Sequence, residues 1–232
     1  METVGIGITT RNRNDVLGFV VEKHLEFNVP GANYLIVDDN SSCDNRGLAD
    51  LLGGFMYLNP RRGIAKAKNA CIKNLDVDHL FLFDDDCFPI KDEWWKPWVE
   101  SGVEYMIFAS PKTITVKEKK NGLTYWNGHH GCAIYMTRKC IETVGGFDKD
   151  FGTYGFEHAE LTWRVKRAGL IEHDFISPDD LGLWAFDVDG SIDGFEWLHK
   201  SSIMGLEKDK AIAVNNYVLG KVMSKTSIYR DI

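Results

Sequence analysis

Three aspartates in succession, Asp84, Asp85 and Asp86, close the apolar run "HLFLF" at residues 79–83, and Pro89 follows. Two carboxylates about 4 Å apart repel by roughly 4 kcal/mol at an effective dielectric of 20, so this crowding calls for a compensating cation. Alternate carboxylates at a strand end, Asp84 and Asp86, suit a hard divalent ion through oxygen ligands and leave positions for phosphate oxygens. Such an ion stabilises a diphosphate leaving group as a Lewis acid. A solvated acidic turn is the plainer alternative. Against it, a second pair, Asp38-Asp39, closes another apolar run.

The stretch "GGFDKDFGTYGFEHAELTWR" (145–164) carries the other candidate chemistry. A glycine-hinged loop delivers Glu157 and Glu160 to the start of a helix, on one face at i and i+3. Glu160 and Arg164 stand at i and i+4, the spacing of a structural ion pair. Glu157 is placed to orient an acceptor hydroxyl or act as a general base. In "NPRRGIAKAKN" (59–69), Arg61, Arg62, Lys66 and Lys68 gather at a helix N-terminus, which suits phosphate; an exposed basic face explains them as simply. Trp94, Trp95, Trp126 and Trp184 suit either stacking on a sugar or the core. The glycines of "GIGITT" do not form a dinucleotide motif, because Thr10 stands where a third glycine is needed and no helix opens there. Close backbone packing accounts for Gly5 and Gly7.

These residues need a scaffold, and the pattern supplies one. Residues 3–10 and 33–39 and the run before Asp84 read as buried strands. Between them lie helical patterns at 15–27, with Val16, Phe19, Val20 and Leu25 inward and Asn14 or Asp15 as cap, and at 63–75, with Ile64, Ala67, Cys71 and Leu75 inward and lysines outward. The alternation argues for parallel βαβ units in a helix-covered sheet. Ligands collect beyond the carboxyl ends of such strands. Thr9-Thr10-Arg11-Asn12, Asp38-Asp39-Asn40 and Asp84-Asp85-Asp86 would therefore share one edge. Further on, Pro97 breaks an aromatic-rich segment, a hairpin turns at 119–122, a strand and short helix end at Gly145-Gly146, and a clear helix begins near Glu157. Residues 1–204 read as one domain, in parts 1–90 and 91–204; 205–232 read as a tail or helix.

A chain of 232 residues with 44% hydrophobic content buries a real core. With 27 Lys+Arg against 34 Asp+Glu, the net charge of −7 gives no overall attraction to nucleic acid or anionic membrane. The five cysteines are odd in number and lack CxxC spacing, which points away from a disulfide framework or zinc knuckle. No apolar run approaches the roughly 18–20 residues of a membrane span, and the N-terminus lacks a signal-peptide plan. A cytoplasmic protein is expected.

In this order the motifs resemble glycosyltransferases of the GT-A fold, close to the large family 2 group, over roughly residues 3–170. "ITTRNRND" resembles the first nucleotide loop, "LIVDDNSS" the second, and "RRGIAKAKNACI" the basic helix start. "FLFDDDCFP" resembles the metal-binding DXD strand end, and the Glu157 stretch the acceptor and catalytic loop. The resemblance implies a Rossmann-like, mostly parallel sheet flanked by helices, with a smaller mixed acceptor-side region. It also implies a nucleotide-sugar donor, a UDP-sugar first, held by residues 1–90 with Mn2+ or Mg2+, and an acceptor with a free hydroxyl on a glycan, a protein or a modified nucleic acid base, met by the acceptor and catalytic groups of residues 91–204. By carry-over Thr9, Arg11 and Asp39 hold the nucleoside, and Lys68 lies near it or the diphosphate. Asp84 and Asp85 face the donor, and Asp84 with Asp86 engages the metal. His199 resembles a late histidine that completes the metal site. Inverting relatives carry Glu-Asp in the catalytic loop; here the pair is Glu157-His158. The "EHAE" sequence resembles equally the Glu-Asn-x-Glu of the retaining polypeptide N-acetylgalactosaminyltransferases, so the stereochemistry stays open. A nucleotidyltransferase making sugar nucleotides, and a non-catalytic sugar-nucleotide or glycan-binding module, are the alternatives.

Overall fold

The computed structural model describes residues 2–202 and 207–232. The first half alternates as expected: β1 (Val4–Thr10), α1 (Asn14–Glu26), β2 (Asn33–Asp38), α2 (Arg46–Asp50), β3 (Phe55–Tyr57), α3 (Ile64–Asn74) and β4 (His79–Asp84). A short β5 (Cys87–Pro89) and α4 (Lys96–Val99) lead to β6 (Tyr105–Ile107), the hairpin β7 (Val116–Lys120) and β8 (Leu123–Trp126), and β9 (Ala133–Thr137). The chain ends with α5 (Arg138–Val144), α6 (Glu157–Arg167), β10 (Ile176–Pro178), β11 (Leu183–Ala185), α7 (Phe186–Asp189), α8 (Glu196–Ser202) and α9 (Glu207–Met223). The expected boundary at 204/205 lies outside the described residues; α9 makes most of the following segment helical.

The large sheet runs β3-β2-β1-β4-β9-β6. Its first four strands are parallel, while β9 is antiparallel to both β4 and β6. The register pairs Thr10 with Asp38 and Thr9 with Asp84. One sheet edge thus collects the three polar strand ends. The smaller sheets β10-β8-β7 and β11-β5 form the mixed region beside it.

Both faces of the sheet are covered, so its central strands are apolar throughout rather than alternating: Leu80 to Phe83 are all buried. Helix α3 lies so close to β1 that a Cβ on Gly7 would stand 2.6 Å from Cys71 Cβ, and one on Gly5 would stand 2.8 Å from Val77 Cγ2. This is the close backbone packing expected of the two glycines.

Four local expectations are corrected. Asn14 is the first residue of α1, not its cap; Arg13 holds the cap position without a side-chain capping bond, because a guanidinium has no acceptor for the first-turn N–H groups. Leu25 is exposed, since the buried face of α1 runs through Val16, Leu17, Val20, Val21 and His24. Pro97 sits in the first turn of α4, where its missing N–H costs nothing. On α3 the lysines divide: Lys66 and Lys73 are exposed, but Lys68 is fully buried. All five cysteines are free thiols. No helix among the described residues is long and apolar enough to cross a membrane.

Candidate active site

The crowded aspartates are balanced by cations of the chain itself. Arg13 bridges Asp85 and Asp86, with Nη1 donating to Asp86 Oδ2 at 2.9 Å. Thr10 Oγ1 donates to Asp85 Oδ2 at 2.6 Å, which makes Asp85 a buried strut between β1 and the turn after β4. Lys68 Nζ meets Asp84 Oδ1 at 2.9 Å and donates to the Gly131 carbonyl at 2.9 Å. Burial alone would lower the Lys68 ammonium pKa, but the negative charges of Asp84 and Glu157 raise it above its ordinary value. The sequence offered no local sign of Arg13, because its partners lie more than 70 residues away.

The loop beyond β2 is built just as tightly. Asp38 accepts from Ser41 N at 2.8 Å and Asn45 Nδ2 at 2.6 Å, so it is a structural carboxylate that shapes the turn. Asp39 accepts from the backbone N–H of Arg62 at 2.6 Å and of Gly63 at 2.9 Å, which anchors the start of α3. A carboxylate has about four lone-pair sites, so Asp39 keeps acceptor capacity after both bonds. Asn12 stitches the first loop to the second, donating from its backbone to Ser41 Oγ and accepting from Ser42 N, each at 2.8 Å. Thr9 Oγ1 donates to the Phe83 carbonyl at 3.3 Å. Arg11 Nε is buried without a hydrogen-bond partner among the described residues; such a donor suits a polar ligand.

Within electrostatic reach of Lys68, Glu157 is the first residue of α6 and is buried. Its Oε1 meets His158 Nδ1 at 3.1 Å, while Oε2 is buried and makes no hydrogen bond among the described residues. Burial pushes this carboxyl up, but the charge and hydrogen bond of His158, with Lys68 behind them, outweigh it and hold the pKa at about 2. The helix N-terminus acts in the same direction. Glu160 is a different kind of residue. It forms a buried two-pronged pair with Arg164 at 2.9 and 3.0 Å, and Arg164 also donates to the carbonyls of Val144 and Gly146. The i, i+4 spacing was therefore structural.

A histidine-rich loop missed in the sequence completes this side. His129 stands edge-on to His158, ring centroids 4.8 Å apart, and against Phe175 at 4.3 Å. Burial, helped by His158 and His130, lowers the His129 pKa to about 2 and keeps that ring neutral. His130 Nε2 lies 2.8 Å from Thr113 Oγ1. Gly131 follows because a Cβ there would stand 2.5 Å from His158 Nδ1. The paired histidines bracketed by glycines in "NGHHG" were the available signal.

The donor atoms of Asp84 and Asp86 fit a hard cation. The Asp84 side chain is partly open, and burial with two neighbouring carboxylates pushes Asp86 up to about 6 even with Arg13 upon it, an environment a divalent charge would relieve. Among the described residues no three His, Cys, Asp or Glu side chains converge as a metal-ligand group, so a cation held by Asp84 and Asp86 would need phosphate oxygens and water as its other ligands. His199 is half-buried on α8, which packs against α1 and α7. It is not gathered with the aspartates into one group.

Residues 6–141 match the family model described as Glycosyl transferase family 2. The chain belongs to that family. An uncharacterized glycosyltransferase of Acanthamoeba polyphaga mimivirus is 28% identical to this family 2 chain over 160 residues, covering 61% of each protein, so the chain matches about three fifths of that relative's length. Among solved structures, GalNAc-T7 with UDP, GalNAc and Mn2+ aligns over 71% of this chain and 40% of its own, at TM-score 0.59 and 13% identity. The mannosyltransferase PcManGT of Pyrobaculum calidifontis, with GDP-Man and Mn2+, aligns over 97% and 76%, at 0.54 and 14%. S. aureus TarS with UDP aligns over 72% and 55%, at 0.56 and 13%. At these identities the likeness is one of fold, and the fold is GT-A.

Proposed function

We propose that this family 2 chain transfers a sugar from a nucleotide-sugar, by preference a UDP-sugar, to an acceptor hydroxyl with the help of Mn2+ or Mg2+. One observation carries this: the ends of β1, β2 and β4 bring Thr9, Asp39 and Asp84 to one edge, and Lys68 stands between Asp84, which it pairs with, and the charge of Glu157. Similar folds bound to UDP or GDP-Man with Mn2+ support it.

Thr9, Arg11 and Asp39 would hold the nucleoside, and Asp86 with Asp84 would hold the cation, with His199 as the candidate third ligand. When bound, the cation supplies Lewis-acid stabilisation of charge on the departing diphosphate. Lys68 orients Asp84, and Asp85 with Arg13 fixes the turn that carries Asp86. A carboxyl with a pKa near 2 is a weak proton acceptor, so Glu157 acts best by orienting, through Oε1 on His158 and through Oε2 on an acceptor group. His158, paired with Glu157 through Nδ1, would help Glu157 at the acceptor hydroxyl. A glycan, a protein or a modified nucleic acid base is an acceptor of the required kind.

The test is nucleotide release from a panel of UDP- and GDP-sugars with Mn2+, with and without acceptor mixtures, for the wild type and Asp86→Ala. Release of UDP, abolished by Asp86→Ala in a folded protein, is the expected result. Pyrophosphate released from a nucleoside triphosphate would instead indicate a nucleotidyltransferase, and donor binding without turnover a binding module.

A further inference from the structure

Helix α6 begins abruptly. Its cap position is Phe156, which makes no side-chain capping bond and holds the left-handed conformation at φ +68°, directly after Gly155 at φ +101°. A bulky residue rarely adopts that region, and it persists only where its surroundings impose it. Glu157 and His158 follow at once.

The constraint comes from the C-terminal helix. Asn215 of α9 is fully buried, and its side chain is spent on the backbone of this one loop. Its Oδ1 accepts from Gly152 N at 2.9 Å, and its Nδ2 donates to the carbonyls of Tyr154 and Gly155, each at 2.9 Å. An amide used in this way dictates loop conformation whatever the loop's side chains are, because it satisfies backbone groups that would otherwise be buried unpaired. Ile212, one turn earlier on α9, would stand 3.3 Å from a Cβ on Gly155, so the helix backs the loop as well as bonding to it. The following segment closes the other end. Lys225 and Arg230 pair with Asp148, and Lys225 also pairs with Asp150; the Arg230 backbone bonds to Val144 O and Gly146 N.

We infer that Asn215 is a positioning residue for the reaction, the one through which α9 sets the loop that aims Glu157 and His158. The inference rests on the transferase function proposed above. The alternative is that Asn215 merely anchors α9 to the domain. The two differ in what a variant loses. An anchor costs stability, whereas a positioning residue costs kcat while donor affinity stays, because the donor-binding strand ends are distant in sequence and separately braced.

The experiment compares Asn215→Ala with Val222→Ala, which truncates a buried side chain of the same helix away from this loop. Expected for Asn215→Ala is a kcat loss of at least about tenfold with donor KM within about twofold, as a misaimed group produces. Amide hydrogen exchange over residues 152–160 should quicken, while Val222→Ala keeps both kcat and that protection. Asn215→Gln keeps the amide's donors and acceptor on a longer arm and shifts them from the loop; it should show a partial loss of the same kind and serves if the alanine variant does not fold. Wild-type kcat in both Asn215 variants, an equal kcat loss in Val222→Ala, or unchanged exchange over 152–160 would overturn the inference. If the wild type itself releases no nucleotide from any donor, the proposed function fails, and the exchange comparison still decides whether Asn215 holds the loop.

Discussion

Replacing Glu157 with glutamine tests whether the buried carboxylate is held as an ion by its neighbours. Its pKa falls from 4.5 to about 2 in the folded chain. At 1.36 kcal/mol per unit, charged Glu157 contributes about 3 kcal/mol of stability where it is ionised in both states. The sign follows from the depressed value: the contribution is present above pH 4.5 and is lost as pH falls toward 2. Glutamine mimics the neutral form, so Glu157→Gln should be less stable by about 3 kcal/mol at pH 5.5 and by about 2 kcal/mol at pH 3.5. For a chain of this size, 3 kcal/mol corresponds to a midpoint lowered by roughly 10 °C. Urea unfolding followed by tryptophan fluorescence at the two pH values reads the difference directly. A variant as stable as the wild type at pH 5.5, or a gap that widens toward acid, would refute the assignment of His158 and Lys68 as the charges that hold Glu157.

Three further outcomes are expected. Arg164→Met leaves the Glu160 carboxylate and the Gly146 carbonyl buried without the Arg164 donor, and takes one of two donors from the Val144 carbonyl; it should cost about 3–5 kcal/mol in chemical denaturation. Gly7→Ala forces a methyl against Cys71 at the β1–α3 contact, and should lower stability by about 1–3 kcal/mol with an unchanged denaturant slope. Gly131→Ala must displace the His158 ring from Glu157; nucleotide release should fall at least about tenfold while UDP binding, measured by calorimetry, stays near wild type.

The framework was legible because parallel strands covered on both faces write themselves as continuous apolar runs. The polar residues closing β1, β2 and β4 therefore announced a shared edge. The Glu160–Arg164 pair was legible for a similar reason, as helical spacing brings such residues together. What escaped depends on contacts between distant segments. Lys68 was assigned to the wet side of α3 by periodicity, but Asp84 and the Gly131 carbonyl lie where solvent was expected. Arg13 read as one polar loop residue among several, although it is the cation that makes Asp85 and Asp86 tolerable. His129 and Asn215 act only through a ring and a loop contributed by other parts of the chain. No local pattern encodes such partners.

The central claim is that nucleotide and divalent cation bind together at the edge formed by Asp39, Asp84 and Asp86. A thermal melt with UDP and Mn2+ together, against each alone and against GDP, tests it most directly. Ligand at 100 times its dissociation constant adds about 2.7 kcal/mol to the native state, or roughly 5–10 °C for a chain of this size. The expected result is a shift of that order that requires both UDP and Mn2+ and disappears in Asp86→Ala. A melt unmoved by either nucleotide with Mn2+, or moved equally in Asp86→Ala, would contradict the metal–diphosphate site.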